Sequence, residues 1–441
     1  MSNFPQALVD LVRRTIKKYV RETVFYYAAK IAQVPNGGNA YTLDDGNTAI
    51  VLNNGVCIAG EEVLVIKTSS GKRFIYYWKP TRSISAAVVA AILSGVDGHV
   101  RAIVVHPTTG YIYVGGDFLN AGGNPANHIA MWNGTTWSAL GEGTNGGVWC
   151  LTVEPTTGNV VAGGVFTTAG IVPAKRVAMW DGVAWSALGA GSILANTYAL
   201  AYGPDGTLYM GGEANRVGPV GISACFFSWD GSTWTTIDTF PPRTTAYVLY
   251  SMYAIRDIKF HSGVLHVCGS YNSFPYRTGS GVVFKYTGST WVELGHNYMD
   301  FNVGRGVMSV MAFDAVGNLY VGGLFGTIYS NDESTIVNAA DVAMWNGSAW
   351  TDIGFGTLAK RVNDLCFNDA GVLHAGTDLG LFTRVDSAWV ALPLVGNYLD
   401  VIDTIALASD KSLYIGGVFE VAGELKVNNI VDRLDDTWIA M

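Results

Sequence analysis

A short motif that ends in tryptophan recurs through most of the chain and limits what it can fold into. It reads Trp132-Asn133-Gly134-Thr135-Thr136-Trp137, Trp180-Asp181-Gly182-Val183-Ala184-Trp185, Trp229-Asp230-Gly231-Ser232-Thr233-Trp234, Tyr286-Thr287-Gly288-Ser289-Thr290-Trp291 and Trp345-Asn346-Gly347-Ser348-Ala349-Trp350. Two worn copies close the series, at Arg384 to Trp389 and Leu434 to Trp438. Successive closing tryptophans lie 48, 49, 57, 59, 39 and 49 residues apart. A period of this size means stacked supersecondary units, each unable to bury its apolar face alone. Such scaffolds host many activities, so function has to come from the loops and the residues that break the repeat.

The first unit gives the plan. Val100 to His106 is an apolar strand, Pro107-Thr108-Thr109-Gly110 a tight turn, and Tyr111 to Val114 a second strand closed by Gly115-Gly116. After a variable loop, Ile129 to Trp132 and Thr136 to Leu140 read as third and fourth strands around the Asn133-Gly134 turn. Asn-Gly and Asp-Gly supply the positive φ that tight hairpins need. The spacing puts Trp132 and Trp137 on one face, where they can anchor against the next unit. The glycine pair returns at Gly163-Gly164, Gly211-Gly212, Gly322-Gly323 and Gly416-Gly417, and decays to Gly269-Ser270 and Gly376-Thr377. Without Cβ atoms these positions allow close approach of strands.

Four strands per unit and seven units predict a mainly β chain, with a seven-bladed β-propeller of four-stranded blades over residues 98–441. The pattern Gly-Gly-x-Phe-x-x-Ala-Gly followed by Ala-x-Trp-Asn/Asp-Gly-x-x-Trp-x-x-Leu-Gly, at Gly115 to Gly141 and again at Gly163 to Gly189, resembles kelch and galactose-oxidase-type repeats. It is closer still to kelch-related repeats of surface-exposed microbial and phage proteins. The last two units depart from the pattern, with Phe382, Arg384 and Leu434 where aromatic-Gly turns should stand.

The insertions are not spread evenly. First-to-second and third-to-fourth strand turns stay short, while growth falls in Asp238 to Tyr253, His296 to Gly306 and Gly326 to Asp341. In a propeller these belong to one face, and loop growth on one face of a repeat array marks the binding face. The long segments carry Tyr247, Tyr250, Tyr253, Tyr271, Phe274, Tyr276, Arg277, Tyr298, Phe301 and Tyr329. Aromatic rings with arginine among them make a recognition surface of apolar faces and polar tips, suited to sugars. These ten residues are the candidate ligand site. The competing reading is that the rings pack the long loops onto the scaffold.

Ahead of the repeats, residues 1–32 read as an assembly helix. Pro5 suits a first turn, and Val9, Val12, Ile16, Val20, Val24, Tyr27 and Ile31 recur at spacings of three and four, opposite a basic face. Residues 33–80 read as a small β unit with strands at Tyr41–Leu43, Ala49–Leu52, Val56–Ile58, Val63–Lys67 and Phe74–Trp78, separated by Asp45-Gly46, Asn54-Gly55 and Ser70-Gly71. Five short strands suggest an OB-like barrel. With Ala59-Gly60-Glu61-Glu62-Val63-Leu64-Val65 and Gly71-Lys72-Arg73-Phe74-Ile75-Tyr76, the segment resembles the small OB-type domains of bacteriophage tail and baseplate proteins. Residues 81–97 are the linker.

Catalytic, metal and cofactor motifs do not emerge. The seven histidines (99, 106, 128, 261, 266, 296 and 374) form no His-Glu-x-x-His, and the five cysteines (57, 150, 225, 268 and 366) form no Cys-x-x-Cys. The cysteines read as buried free thiols of a reducing compartment. His261 and His266 are expected on opposite sides of one strand. Asp117 and Glu213 follow equivalent glycine pairs and are the best candidates for paired carboxylates. A net charge of -8 gives no reason to expect nucleic acid. No apolar run approaches the ~18 residues of a membrane span, and no signal peptide is evident. The expectation is a bacteriophage virion protein without enzymatic activity or cofactor, made in the host cytoplasm. It would join other virion proteins through its N-terminal parts, as a homo-oligomer within a larger assembly, and bind a host-surface glycan or protein through the propeller. A purely architectural decoration protein and a carbohydrate-active enzyme are the alternatives.

Overall fold

The computed structural model describes strand backbone within 24–76, and residues 95–441 except 190–195, 214–224, 238–239, 241–242, 246–247, 275–278, 298–305, 357–360, 393–400, 420, 423–424, 428 and 435–436. The chain divides into two compact units, residues 1–90 and 91–441. Every described element is a strand.

In the first unit β1 (Val24–Gln33), β2 (Ala40–Leu43), β3 (Thr48–Val51), β4 (Glu62–Thr68) and β5 (Arg73–Tyr76) close into a barrel in the order β1-β2-β3-β5-β4. All neighbours are antiparallel except β3 and β5, which are parallel. The helix expected over 1–32 is therefore wrong at its end. Val24, Tyr27 and Ile31 stand in β1, which pairs with β4 from Val24 opposite Thr68 to Lys30 opposite Glu62. The run Val24-Phe25-Tyr26-Tyr27 is β-branched and aromatic, and a partner strand outweighs a spacing of three and four. Val9, Val12, Ile16 and Val20 lie outside the described residues, as do Val56–Ile58.

The second unit holds five four-stranded antiparallel sheets, while its third and fourth repeats join with the Thr327–Ser330 hairpin into one 11-stranded sheet, through Glu213 opposite Ala254 and Gly295 opposite Ser330. The first runs Val100–Val105, Ile112–Gly116, Ile129–Trp132 and Trp137–Ala139. The first strand of each repeat is the inner one: Val100–Val105, Val148–Val153, Asn196–Tyr202, Val248–His261, Val307–Phe313, Val362–Phe367 and Val401–Leu407. Each inner strand neighbours the next, and the last neighbours the first, so they stand in a circle round an axis. The last sheet, ending in Thr437–Ala440, takes no strand from the start of the repeats. The seam is held by side chains instead. Asn429 Nδ2 donates to the Val96 carbonyl at 3.0 Å, His99 contacts Asp403, and a Cβ on Gly416 would sit 2.4 Å from Val100 Cγ1.

The glycine pairs fix the geometry of this circle. A Cβ on Gly115 would lie 2.5 Å from Val148 Cγ1 of the next unit, and one on Gly116 would lie 1.9 Å from the His99 carbonyl oxygen of its own inner strand. The first glycine thus admits the neighbouring sheet, and the second admits a bulge in the inner strand. In the fourth unit the paired positions are Cys268 and Gly269, opposite Asp257 and Ile255, one residue earlier than the expected Gly269-Ser270. The sixth carries Thr377 in the second place, where the strand turns back at once and Thr377 pairs with Gly380.

The tryptophan motif is a hairpin in which Trp132 faces Trp137, Trp180 faces Trp185, Trp229 faces Trp234 and Trp345 faces Trp350, with ring centroids 5.2 to 5.4 Å apart. The glycine alone takes positive φ, for example 96° at Gly134. The Asn or Asp before it accepts the N–H groups two and three residues on, as Asn133 Oδ1 does from Thr135 and Thr136 at 2.9 and 2.8 Å. The closing rings reach back to the preceding unit, not forward as expected. Trp185 Nε1 donates to the Leu140 carbonyl at 2.8 Å, Trp234 Nε1 to Leu188 at 2.8 Å and Trp350 Nε1 to Leu294 at 2.9 Å. In the worn sixth unit Arg384 replaces the first aromatic, and its guanidinium lies 5.8 Å from the Trp389 ring centre. The apolar core sits between sheets: Tyr113, Ile129 and Leu140 of the first unit pack with Val148, Phe166, Trp180 and Trp185 of the second.

Candidate functional site

A β-bulge interrupts every described inner strand at the same place. The register slips between Val100 and Ala102, Val148 and Cys150, Thr197 and Ala199, Ile255 and Asp257, Met308 and Val310, Val362 and Asp364, and Ile402 and Thr404. A bulge re-aims the side chain of its extra residue. The residues so displaced are Arg101, Trp149, Tyr198, Arg256, Ser309, Asn363 and Asp403, all half-buried, while the residue before each is buried. One level of the circle therefore carries a ring of polar and aromatic side chains.

The first four touch in sequence. The Arg101 guanidinium lies 5.5 Å from the Trp149 ring centre, Trp149 and Tyr198 stack at 5.6 Å with planes 1° apart, and the Arg256 guanidinium lies 4.1 Å from the Tyr198 ring centre. Four planar groups from four successive inner strands thus form one stack, and contacts of this kind strengthen as water is excluded. Both faces of Trp149 and of Tyr198 are covered, so the stack offers its edges and its terminal guanidinium groups to a ligand.

Carboxylates at the start of the second-to-third strand loops brace the ring. Arg101 Nε donates to Asp117 Oδ2 at 2.5 Å. Glu213 Oε2 accepts from Asn196 Nδ2 at 2.9 Å and from the Tyr198 hydroxyl at 3.0 Å. Asn363 Nδ2 donates to Asp378 Oδ1 at 2.9 Å. Burial holds the Tyr198 phenol above its ordinary value against the opposing pull of Arg256, so it stays a neutral donor to Glu213. Asp117 and Glu213, the candidates for paired carboxylates, each brace a ring residue of their own sheet. These loops belong to the face that carries the insertions, so the ring stands at the centre of that face.

Further along the axis Asp257 and Asp364 tie neighbouring inner strands together. Asp257 Oδ2 accepts from the Met311 N–H at 2.8 Å, and Asp364 Oδ2 from the Ile405 N–H at 2.7 Å. Lys259 Nζ lies 3.7 Å from Asp257 Oδ1, and the charges of Asp257 and then Asp364 hold the ammonium above its ordinary value. Burial pushes Asp364 up to about 6.

The expected ligand residues fall into three groups. Tyr250 and Tyr253 stand in Val248–His261, and Tyr271 and Phe274 in Val264–Phe274. These are strands, not loops. Leu249 pairs with Phe274 and Met252 with Tyr271, which carries the hairpin roughly 20 Å beyond the bulge at Arg256. Tyr329 packs inside a second hairpin, Thr327–Ser330 with Ile336–Asn338, its ring 5.4 Å from buried His296 and 11° from parallel. Tyr247, Tyr276, Arg277, Tyr298 and Phe301 lie outside the described residues. Phe240, from the same aromatic-rich segment, packs on Trp291 at 4.5 Å, as the packing alternative required.

The histidines also depart from expectation. Ser262-Gly263 reverses the chain, so His261 and His266 lie on two paired strands and both meet Phe313, at 4.5 and 4.9 Å. Parity along a single strand does not apply across a turn. Burial lowers His266 to about 4. Cys150, Cys225, Cys268 and Cys366 are free thiols, the first three buried. Among the described residues no group of three or more His, Cys, Asp and Glu could hold a metal ion, and no helix is long and apolar enough to cross a membrane.

Residues 75–291 match the family model described as the Rax2 C-terminal beta propeller domain. No curated protein matches the chain in sequence. Among solved structures it is similar to virginiamycin B lyase from Staphylococcus aureus, with 12% identity over 75% of this chain and 93% of that one and a TM-score of 0.48. It is similar to the extracellular domain of a two-component system from B. thetaiotaomicron, with 13% identity, 74% of this chain covered and a TM-score of 0.47, but spans only 37% of that chain. PorZ of the Porphyromonas gingivalis type-IX secretion system gives 13% identity over 85% of this chain and 53% of that one, with a TM-score of 0.45. The circle of inner strands and the family match agree on the architecture: the second unit of this chain is a β-propeller.

Proposed function

We propose that this chain is a bacteriophage virion protein of the tail or baseplate, whose propeller is seven-bladed and kelch-like and binds a glycan on the host surface without catalysing a reaction. The ring of bulged residues at the centre of the inserted face carries this reading. Seven equivalent positions hold six different residue types, while the residue before each is buried and, but for Thr197, apolar. A scaffold that varies only where side chains leave the packing layers is built for recognition. The hairpin of Val248–His261 with Val264–Phe274, which bears Tyr250, Tyr253, Tyr271 and Phe274, would supply an outer contact, and Tyr247, Tyr276, Arg277, Tyr298 and Phe301 would belong to the same ligand site. The strand order β1-β2-β3-β5-β4 with one parallel pair is the order of an OB barrel, which supports attachment to other virion proteins through the N-terminal unit.

The test is saturable binding of the labelled full chain to candidate host cells, competed by purified surface polysaccharide. Substituting Tyr271 by Ala should weaken it with the thermal midpoint unchanged. A chain that joins particles but binds no host cell would instead be an architectural decoration, and a polysaccharide shortened on incubation would point to an enzyme.

A further inference from the structure

The ring has more donors than acceptors. Its carboxylates are engaged: Asp117 with Arg101, Glu213 with Asn196 and Tyr198, Asp378 with Asn363, and Asp403 with His99. Three of its donors are not. Trp149 Nε1, Arg256 Nε and Ser309 Oγ have no hydrogen-bond partner among the described residues. All three are bulge residues, and Arg256 and Ser309 are successive members of the ring. Buried donors are nearly always paired in folded proteins, so three on one level call for an acceptor from outside the chain. Arg256 sharpens the point. Its guanidinium rests on Tyr198, and no carboxylate among the described residues lies within ion-pair distance, whereas Arg101 in the first unit is matched by Asp117. The side chain is half-buried although its Nε is covered, so part of it meets solvent.

We infer that the ring binds an anionic group, the carboxylate of an acidic sugar, gripped by Arg256 with Ser309 of the next inner strand as a second donor. This rests on the glycan reading and narrows it. A planar guanidinium fixed by stacking meets a carboxylate through two parallel N–H bonds, and its ordering cost has already been met in the fold. The Trp149 and Tyr198 faces are occupied by one another and by the two arginines, so the sugar ring is held at its charged substituent and not by stacking on this pair.

The experiment is calorimetric titration of the full chain with glucuronate, its methyl ester and glucose, repeated at low and high salt. Glucuronate should bind about tenfold or more tightly than either neutral sugar, and added salt should reduce the difference. Arg256→Met should remove the preference, and Arg256→Lys should retain only part of it. Lys411→Met deletes the same charge from a first-to-second strand turn on the opposite face and should leave binding unchanged. Thermal midpoints of all variants establish that they are folded. Equal affinity for acid and ester, no glucuronate binding at tens of millimolar, or unaltered preference in a folded Arg256→Met would overturn the inference. Cell binding competed by a neutral polysaccharide, and indifferent to Arg256→Met, would leave the glycan reading standing and remove this one.

Discussion

Gly116→Ala tests whether the bulges, and with them the ring, depend on the second glycine of each pair. A Cβ there would lie 1.9 Å from the His99 oxygen, 3.0 Å from its carbon and 3.1 Å from Val100 Cα. All three are backbone atoms, so no rotamer change relieves the clash. The strands must part by more than ~1 Å, since contacts of this kind normally begin beyond ~3 Å. Overpacking of this sort costs about 1–3 kcal/mol and at times more. The movement also strains the bond from Asp117 N–H to the His99 carbonyl, 2.8 Å long, worth about 1 kcal/mol. A loss of about 2–4 kcal/mol is expected.

Gly134→Ala is the matched control. It has a φ of 96° and nothing within 4 Å of an added Cβ, so only backbone strain, about 1 kcal/mol, is at stake. For a unit spanning residues 91–441 the entropy of unfolding is roughly 0.7 kcal/mol per kelvin. Scanning calorimetry should then show a midpoint lowered by about 3–6 °C for Gly116→Ala and by about 1–2 °C for Gly134→Ala. If Gly116→Ala cost no more than its control, the claim that this glycine makes room for the bulge would be refuted.

Two further effects follow from single contacts. Trp185→Phe removes the donor to the Leu140 carbonyl, whereas Trp137 Nε1 has no acceptor among the described residues, so Trp185→Phe should lower stability by about 1–2 kcal/mol more than Trp137→Phe in urea unfolding. Burial, and then the charge of Asp410, push Asp432 up to about 6, above the ordinary value of about 3.9. The folded state therefore holds this proton more tightly than the unfolded chain. Its contribution to stability is fully present below about pH 4 and lost as pH rises through about 6. Asp432→Asn should flatten that decline by up to about 2–3 kcal/mol, read from urea midpoints at pH 4 and pH 7, and an unchanged slope would count against the cause given.

The repeat could be read from sequence because its signals are local. Trp-Asn-Gly and Gly-Gly act through hairpin geometry and missing Cβ atoms within a few residues of themselves. What could not be read is register. Whether Gly269 is the first or the second glycine of its pair depends on which residue of Val248–His261 it faces, and that is settled across the sheet. The same gap hid the ring, since a bulge is a one-residue slip between two strands. A signal was nonetheless present: a glycine pair that must clear a neighbouring carbonyl marks a bulge opposite it. Tyr250, Tyr253, Tyr271 and Phe274 were read as loop because the unit was longer than its neighbours. Their β-favouring composition pointed to the strand they form, and the same was true of Val24-Phe25-Tyr26-Tyr27.

The bulge also separates what must be kept from what can vary, and the fifth unit shows this over two adjacent residues. Met308 is buried, and a Cβ on Gly281 would lie 2.8 Å from its side chain, so it fills the joint between sheets. Ser309, displaced by the bulge, is half-buried and its hydroxyl has no partner among the described residues. Truncating a packed methionine to alanine costs about 2–5 kcal/mol, whereas deleting a hydroxyl that bonds nothing changes stability by no more than about 0.5 kcal/mol. Met308→Ala should therefore unfold at markedly lower urea than the parent, and Ser309→Ala at the same concentration. Were Ser309→Ala as costly as Met308→Ala, the bulge residue would belong to the packing. The seven ring positions would then be part of the joint between sheets and not a surface free to be fitted to a ligand.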